Sequence, residues 1–305
     1  MKDIYWTKAG RERVLERYAK LLKSWPVPFE ARTFGTSQGT TVVLDSGNPS
    51  SPPLVLFHGG YCNSLMWARS VSAWSDNFRV LSVDIIGDPG YSAPSRPGFT
   101  DDRHALWIDD IWNELGLRQA SLVGASLGGW LALDYASRRP ERVNRLVALA
   151  PAGIVKMSLS ASLKILPFLF LGEWGFRKAF ARSFGIGYES LKPDERVFFD
   201  FLALMQRNVI GRARLPGVLS DAALASISMP LKIILGERDV FFNTAAAARR
   251  VLSLAPHAEL LRIPGVGHGL VDPTPMILEF MKPEFSPRVP PNCPVEVPLT
   301  SARVD

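Results

Sequence analysis

The chain holds only two cysteines in 305 residues, Cys62 and Cys293. Two thiols cannot build the disulfide framework of a secreted scaffold, and their scarcity suits a reducing compartment. Nor is there an apolar run of the ~18–20 residues that a membrane span requires. The run at 163–171 is short and is interrupted by Pro167. The opening MKDIYWTKAGRERVLERYAK has no apolar core and no small-residue cleavage site, so it is not a secretory signal and a cytoplasmic location is expected. Blocks of like charge are missing too. The net charge of +6 is spread over Arg138/Arg139, Arg177/Lys178, Arg212/Arg214 and Arg249/Arg250, which alternate with apolar or acidic residues. Such spacing describes solvated helix faces rather than a nucleic-acid or lipid patch. Gly265-x-Gly267-x-Gly269 lacks the helix directly behind it that a dinucleotide loop needs. No cofactor and no metal are expected.

What is present is an ordinary globular composition, 47% hydrophobic and 21% charged, with length for one large α/β domain and an insertion. Helical spacing at 8–24 puts Val14, Leu15, Tyr18, Leu21 and Leu22 on one side, and Pro26 and Pro28 end it. Residues 30–35 and 39–45 read as two strands around a Ser-Gln-Gly turn. Strand and helix then alternate. Continuous apolar runs at 54–59, 80–86, 120–125 and 144–150 mark strands buried on both faces. Between them lie helices near 65–75, 101–115 (capped by Thr100 or Asp101) and 127–139. Alternation of this kind predicts a parallel sheet covered on both sides.

The rhythm breaks over 152–227, which holds helical segments at 157–170, 173–183 and 194–209 rich in Phe, Leu and Met. It resumes with a strand at 230–236, a helix at 244–254 and a strand at 258–265. The expected organisation is an N-terminal helix and lead-in (1–29), an α/β core (30–151 and 228–282), a helical cap (152–227) and an extended Pro-rich tail (283–305).

Within this frame, residues 121–130 read SLVGASLGGW, with Gly124-x-Ser126-x-Gly128 at the turn from strand to helix. Such a turn strains the serine backbone, and glycine beside it avoids collision between strand and helix. A serine hydroxyl is a weak nucleophile and needs a base. Of four histidines, His58 abuts a strand end, His104 lies on a helix, His257 precedes a strand, and His268 sits in the Gly-rich loop GVGHGLVDP after the last strand. His268 is the candidate base. Asp239, in GERDVF after the strand at 230–236, is the candidate acid, with Glu237 as rival. The segment after Ala150 offers no carboxylate, and Asp84 is assigned to holding the turn-rich GDPGYS loop. The order Ser126, Asp239, His268 is that of one serine-hydrolase fold. A tetrahedral oxyanion needs two fixed donors. Leu127, whose N–H opens a helix, supplies one, and Gly60 the other, with Tyr61 as alternative.

These runs resemble the α/β-hydrolases across roughly residues 25–282. The resemblance rests on LVLFHGG (54–60), VDIIGDPGYS (83–92), VGASLGGW (123–130), PERV (140–143), LGERDV (235–240) and GVGHGL (265–270). More narrowly, SWPVPFEARTFG (24–35) and RVLSVDIIGDPGYS (79–92) are similar to bacterial carboxylesterases acting on arylpropionate-type esters. VDIIGDPGYS departs from the common D-x-x-G-x-G-x-S form where Asp88 and Pro89 lead into Gly90. The resemblance implies a mostly parallel eight-stranded sheet with one antiparallel edge strand, helices on both faces, and a helical cap after the sixth strand. The expected partner is a small-molecule ester with a hydrophobic acyl group, bound near Tyr61, Trp130, Phe168 and Phe199. Other chemistries of the same fold stay open: carbon–carbon bond hydrolysis, amide or lactone cleavage, perhydrolysis, or ligand binding with negligible turnover. Haloalkane dehalogenases and epoxide hydrolases of this fold use an aspartate nucleophile, which the serine at the turn disfavours.

Overall fold

Continuously apolar central strands bury both faces of the sheet. In the computed structural model, which describes residues 3–158, 172–185, 187–269 and 273–282, eight strands form one sheet in the order β1-β2-β4-β3-β5-β6-β7-β8. They are β1 (Phe29–Thr36), β2 (Gly39–Ser46), β3 (Pro53–Phe57), β4 (Arg79–Val83), β5 (Ala120–Ala125), β6 (Val143–Leu149), β7 (Leu231–Gly236) and β8 (Glu259–Ile263). Val55 and Phe57 of β3 point to one face, Leu54 and Leu56 to the other, because successive strand side chains alternate. The first face is covered by α3 (Arg103–Glu114), α4 (Leu127–Arg138) and α8 (Thr244–Leu254). The second packs against α1 (Lys8–Leu22), α2 (Val71–Ser75) and α9 (Thr274–Met281). Fully burying one such Leu or Phe contributes about 1.5–3 kcal/mol.

From β4 through β8 the pairing is parallel. The antiparallel strand is β2, which pairs antiparallel with both β1 and β4. It is therefore the second strand and not the edge, since it is paired on one side with β1 and on the other with β4. β1 itself forms the edge.

Several boundaries move for local reasons. Strand β3 ends at Phe57, before the glycines of 59–60. The expected helix at 65–75 divides into a 3-10 turn at Ser64–Trp67, capped by the Asn63 side chain, and the short α2. Helix α3 begins after Asp102, which makes no side-chain cap, rather than after Thr100 or Asp101. Two helices had no sequence signal strong enough to read: α7 (Asp221–Ala225), capped by Ser220, and α9.

Between β6 and β7 lie α5 (Gly172–Phe184), α6 (Pro193–Asn208) and α7. Most of the helix expected at 157–170, Phe168 included, and the tail from 283 fall outside the described residues. Among the described residues, no helix is long and apolar enough to cross a membrane.

Candidate active site

Sheet register sets the site. Phe57 pairs with Gly124, Leu149 with Ala125, Ile234 with Leu149, and Ile263 with Gly236. The residues just beyond these ends, 59–61, 126–127, 239 and 268, all leave the sheet at its C-terminal edge. Open parallel sheets bind ligands there.

Ser126 turns from β5 into α4 with φ +50° and ψ −108°. A left-handed serine of this kind costs of order 1–3 kcal/mol and persists only where its surroundings fix it. Its N–H donates to Leu149 O at 2.9 Å, and its carbonyl accepts from Ala152 N–H and Trp130 N–H, each at 3.0 Å. A Cβ on Gly124 would strike the Gly128 backbone, and one on Gly128 would strike the Phe57 carbonyl. The flanking glycines are thus required by the approach of α4 to β3 and β5.

His268 Nε2 lies 3.0 Å from Ser126 Oγ, and its Nδ1 lies 2.8 Å from Asp239 Oδ2. The carboxylate accepts from Nδ1–H, which assigns the Nε2 lone pair to the serine hydroxyl. Asp239 is held in turn by Phe241 N–H at 2.7 Å and Phe242 N–H at 3.2 Å, both donating to Oδ1. Its side chain is only 1% exposed. The rings of Phe241 and Phe242 stand 5.0 and 5.6 Å from the imidazole and screen the pair from water. The rival Glu237 instead pairs with Arg262 at 3.0 Å on the surface.

Across from the imidazole runs the loop after β3. The Gly59 N–H donates to Met66 Sδ at 3.4 Å, and Tyr61 N–H to Asp88 Oδ1 at 3.4 Å. Among the described residues, Gly60 N–H and Leu127 N–H have no acceptor. They are also neighbours, since a Cβ on Gly60 would sit 3.6 Å from the Leu127 side chain. Two unsatisfied donors beside a serine, one at a helix N-terminus, are suited to a developing negative oxygen. Of the two alternatives, then, Gly60 has the free N–H and Tyr61 does not. His58, fully buried, fixes the loop. Its Nε2 accepts from Ile85 N–H at 2.9 Å, so Nδ1 carries the proton and donates to Gly59 O at 2.8 Å. Burial lowers its pKa and keeps the ring neutral. Because a peptide is planar and trans, holding the Gly59 carbonyl aims the Gly60 N–H the opposite way.

Residues 52–191 match the family described as the alpha/beta hydrolase fold. Carboxylesterase YbfK of Bacillus subtilis (strain 168) is 30% identical over 287 residues, 90% of this chain and 90% of its own. The chain belongs to the α/β-hydrolase family. Among solved structures, this α/β-hydrolase is similar to naproxen esterase (carboxylesterase NP) of Bacillus subtilis, with TM-score 0.79 and 29% identity over 90% of this chain and 99% of that one. Haloalkane dehalogenase 2 of Mycobacterium tuberculosis (strain ATCC 25618 / H37Rv) is 24% identical, over 81% of this chain and 92% of its own.

The α/β-hydrolase places the expected substrate contacts unequally. Trp130 is 2% exposed and packs edge-on to Phe99 and His104, at 5.0 and 5.6 Å. It is a core residue, because its position on α4 turns the ring into the helix–sheet layer. Phe199 stands in an aromatic series with Phe184 and Phe198, each 5.6 Å away. A Cβ on Gly269 would overlap the Phe184 ring, so this series reaches the loop that carries His268. Phe168 lies outside the described residues. Asp84 is saturated by Tyr18 Oη–H, Ser64 Oγ–H, Ser64 N–H and Tyr91 N–H, a structural role for its loop. Burial lowers the pKa of His104 to about 4, and His257 is exposed. Sequence reasoning missed Phe241, Phe242 and the work of His58. For His58 the signal was available: a histidine directly before a Gly-Gly turn at a buried strand end.

Proposed function

We propose that this protein is a carboxylesterase that works through an acyl-enzyme on Ser126. His268 Nε2 takes the hydroxyl proton as Ser126 Oγ attacks the ester carbonyl carbon. The resulting oxyanion is held by the N–H groups of Gly60 and Leu127. Collapse breaks the bond to the alkoxy oxygen, which leaves as the alcohol with the proton from His268. Water then gives a proton to His268 and attacks the acyl carbon, and the second collapse returns that proton to Ser126 and frees the acid. Asp239 keeps the imidazole in the required tautomer and stabilises its charged form.

The observation that carries this reading is the unbroken series Asp239 Oδ2, His268, Ser126 Oγ, at 2.8 and 3.0 Å. The kinship with Bacillus carboxylesterases supports the ester as substrate. A serine where a dehalogenase of this fold has an aspartate argues against halide displacement. The helices between β6 and β7 act as a cap, and the Phe184–Phe198–Phe199 series receives the hydrophobic acyl group. Two cysteines, one of them the buried Cys62, suit a cytoplasmic esterase.

Labelling with a fluorophosphonate and mapping of the modified residue tests the assignment. Modification at Ser126, lost in Ser126→Ala together with hydrolysis of a short aryl ester, is expected. A folded Ser126→Ala protein with full activity overturns it.

A further inference from the structure

Tyr61 has φ +58°. For a bulky side chain this is an outlier, so something must hold it there. Its N–H points to Asp88 Oδ1. Its phenol oxygen accepts from the Arg212 N–H at 2.8 Å. The Arg212 side chain, 4% exposed, closes the loop: its guanidinium reaches Asp88 Oδ1 at 3.2 Å and Ile86 O at 3.0 Å. Arg212 belongs to the stretch that leaves α6 and returns to the core. That stretch is fixed on its outer side by the N-terminal residues, through Ile210 N–H to Ile4 O at 2.7 Å and Trp6 N–H to Asn208 O at 3.0 Å. On its inner side Arg96 donates to Ile210 O at 2.8 Å. Desolvating Asp88 and Arg212 offsets much of their attraction, so the pair adds little to stability as such. What it does do is fix a peptide. With Tyr61 N–H engaged by Asp88 and the Gly59 carbonyl engaged by His58, both peptide planes flanking Gly60 are set.

We propose that Asp88, held by Arg212, is a positioning residue of the oxyanion loop. It takes the Tyr61 N–H and keeps Tyr61 left-handed, so that of this loop's N–H groups Gly60's faces the substrate oxygen, beside that of Leu127. Arg212 ties that geometry to the seating of the helical insertion. The inference rests on the acyl-transfer reading of Ser126.

The test is steady-state kinetics of Asp88→Ala on a short aryl ester, per active site titrated with fluorophosphonate, with Ser126→Ala in parallel. An oxyanion donor acts in the transition state, so kcat should fall about 10- to 100-fold while KM stays within about twofold. Affinity for an aryl trifluoromethyl ketone, which forms an oxyanion on serine, should fall by the same factor, while the carboxylic acid product binds as before. Asp88→Asn retains an oxygen for the Tyr61 N–H and should recover most of the loss. Unchanged kcat, or ketone and product affinities falling together, overturns the proposal. If Asp88→Ala does not fold, Tyr61→Phe decides. It removes the acceptor for Arg212 N–H and should lower kcat and ketone affinity about tenfold, and no change in either overturns the proposal. Labelling lost in Ser126→Ala with Asp88 variants unaffected sinks the positioning role alone. Labelling that survives Ser126→Ala sinks the acyl-transfer reading and the positioning role with it.

Discussion

Two buried carboxylates flank Ser126, and they are held in opposite ways. Asp239 takes both of its backbone donors from its own turn, two and three residues on, before it meets His268. Asp88 draws its partners from Tyr61 and Arg212, 27 and 124 residues away in sequence, and its Oδ2 has no partner among the described residues. The proposed acid thus takes its backbone donors from its own loop. The proposed oxyanion loop is instead held where three distant segments meet.

That contrast can be broken or sharpened by mutation. Ser126→Ala serves both sides and should have the largest effect, a loss of about 10⁶ in kcat on an aryl ester measured with folding confirmed. Asp239→Asn should follow at about 10⁴, read as kcat with the melting temperature little moved, because the amide still accepts from Phe241 but favours the wrong imidazole tautomer. The Asp88 variants above should fall well below it. If Asp88→Ala matched Asp239→Asn, the two sides would be equally direct in the chemistry and the contrast would fail.

His104 tests the same layer by pH. Its folded pKa is depressed to about 4 by burial, so the unfolded chain binds the extra proton between about 6.5 and 4. Its share of stability is complete above about 6.5, is lost as pH falls towards 4, and amounts to a few kcal/mol at most. His104→Phe should flatten the slope of melting temperature against pH in that window, and an unchanged slope would refute the assignment. Smallest of all, Glu237→Gln should leave kcat/KM alone and cost a few tenths of a kcal/mol, the worth of an exposed pair with Arg262.

Legibility in the sequence followed the same division. Ser126, Asp239 and His268 announce themselves because each lies a few residues past the end of a strand, and parallel register brings strand ends together. The glycines around Ser126 were readable for the same reason: a Cβ there meets backbone. Trp130 misled, since helical phase along α4 cannot be fixed from sequence alone and its ring turned inward. The place of β2 was missed because strand order depends on crossovers that leave no local mark. Asp88 stood out only as a departure from a common loop pattern. Its meaning needs Arg212, and nothing in a linear reading connects position 88 to position 212.

The bonds from the helical insertion to the loops of the candidate site also bear on modularity. Ser158 N–H donates to Phe241 O at 2.7 Å, His268 N–H to Ser183 O at 2.9 Å, and Arg212 N–H to Tyr61 Oη at 2.8 Å. The loops of the proposed acid, base and oxyanion donor are each stitched to the insertion. A chimera that exchanges this insertion for another enzyme's, in search of a new substrate, therefore removes part of the scaffold of all three loops. Grafts that keep residues 158, 183 and 212 in register are the ones expected to inherit a working site.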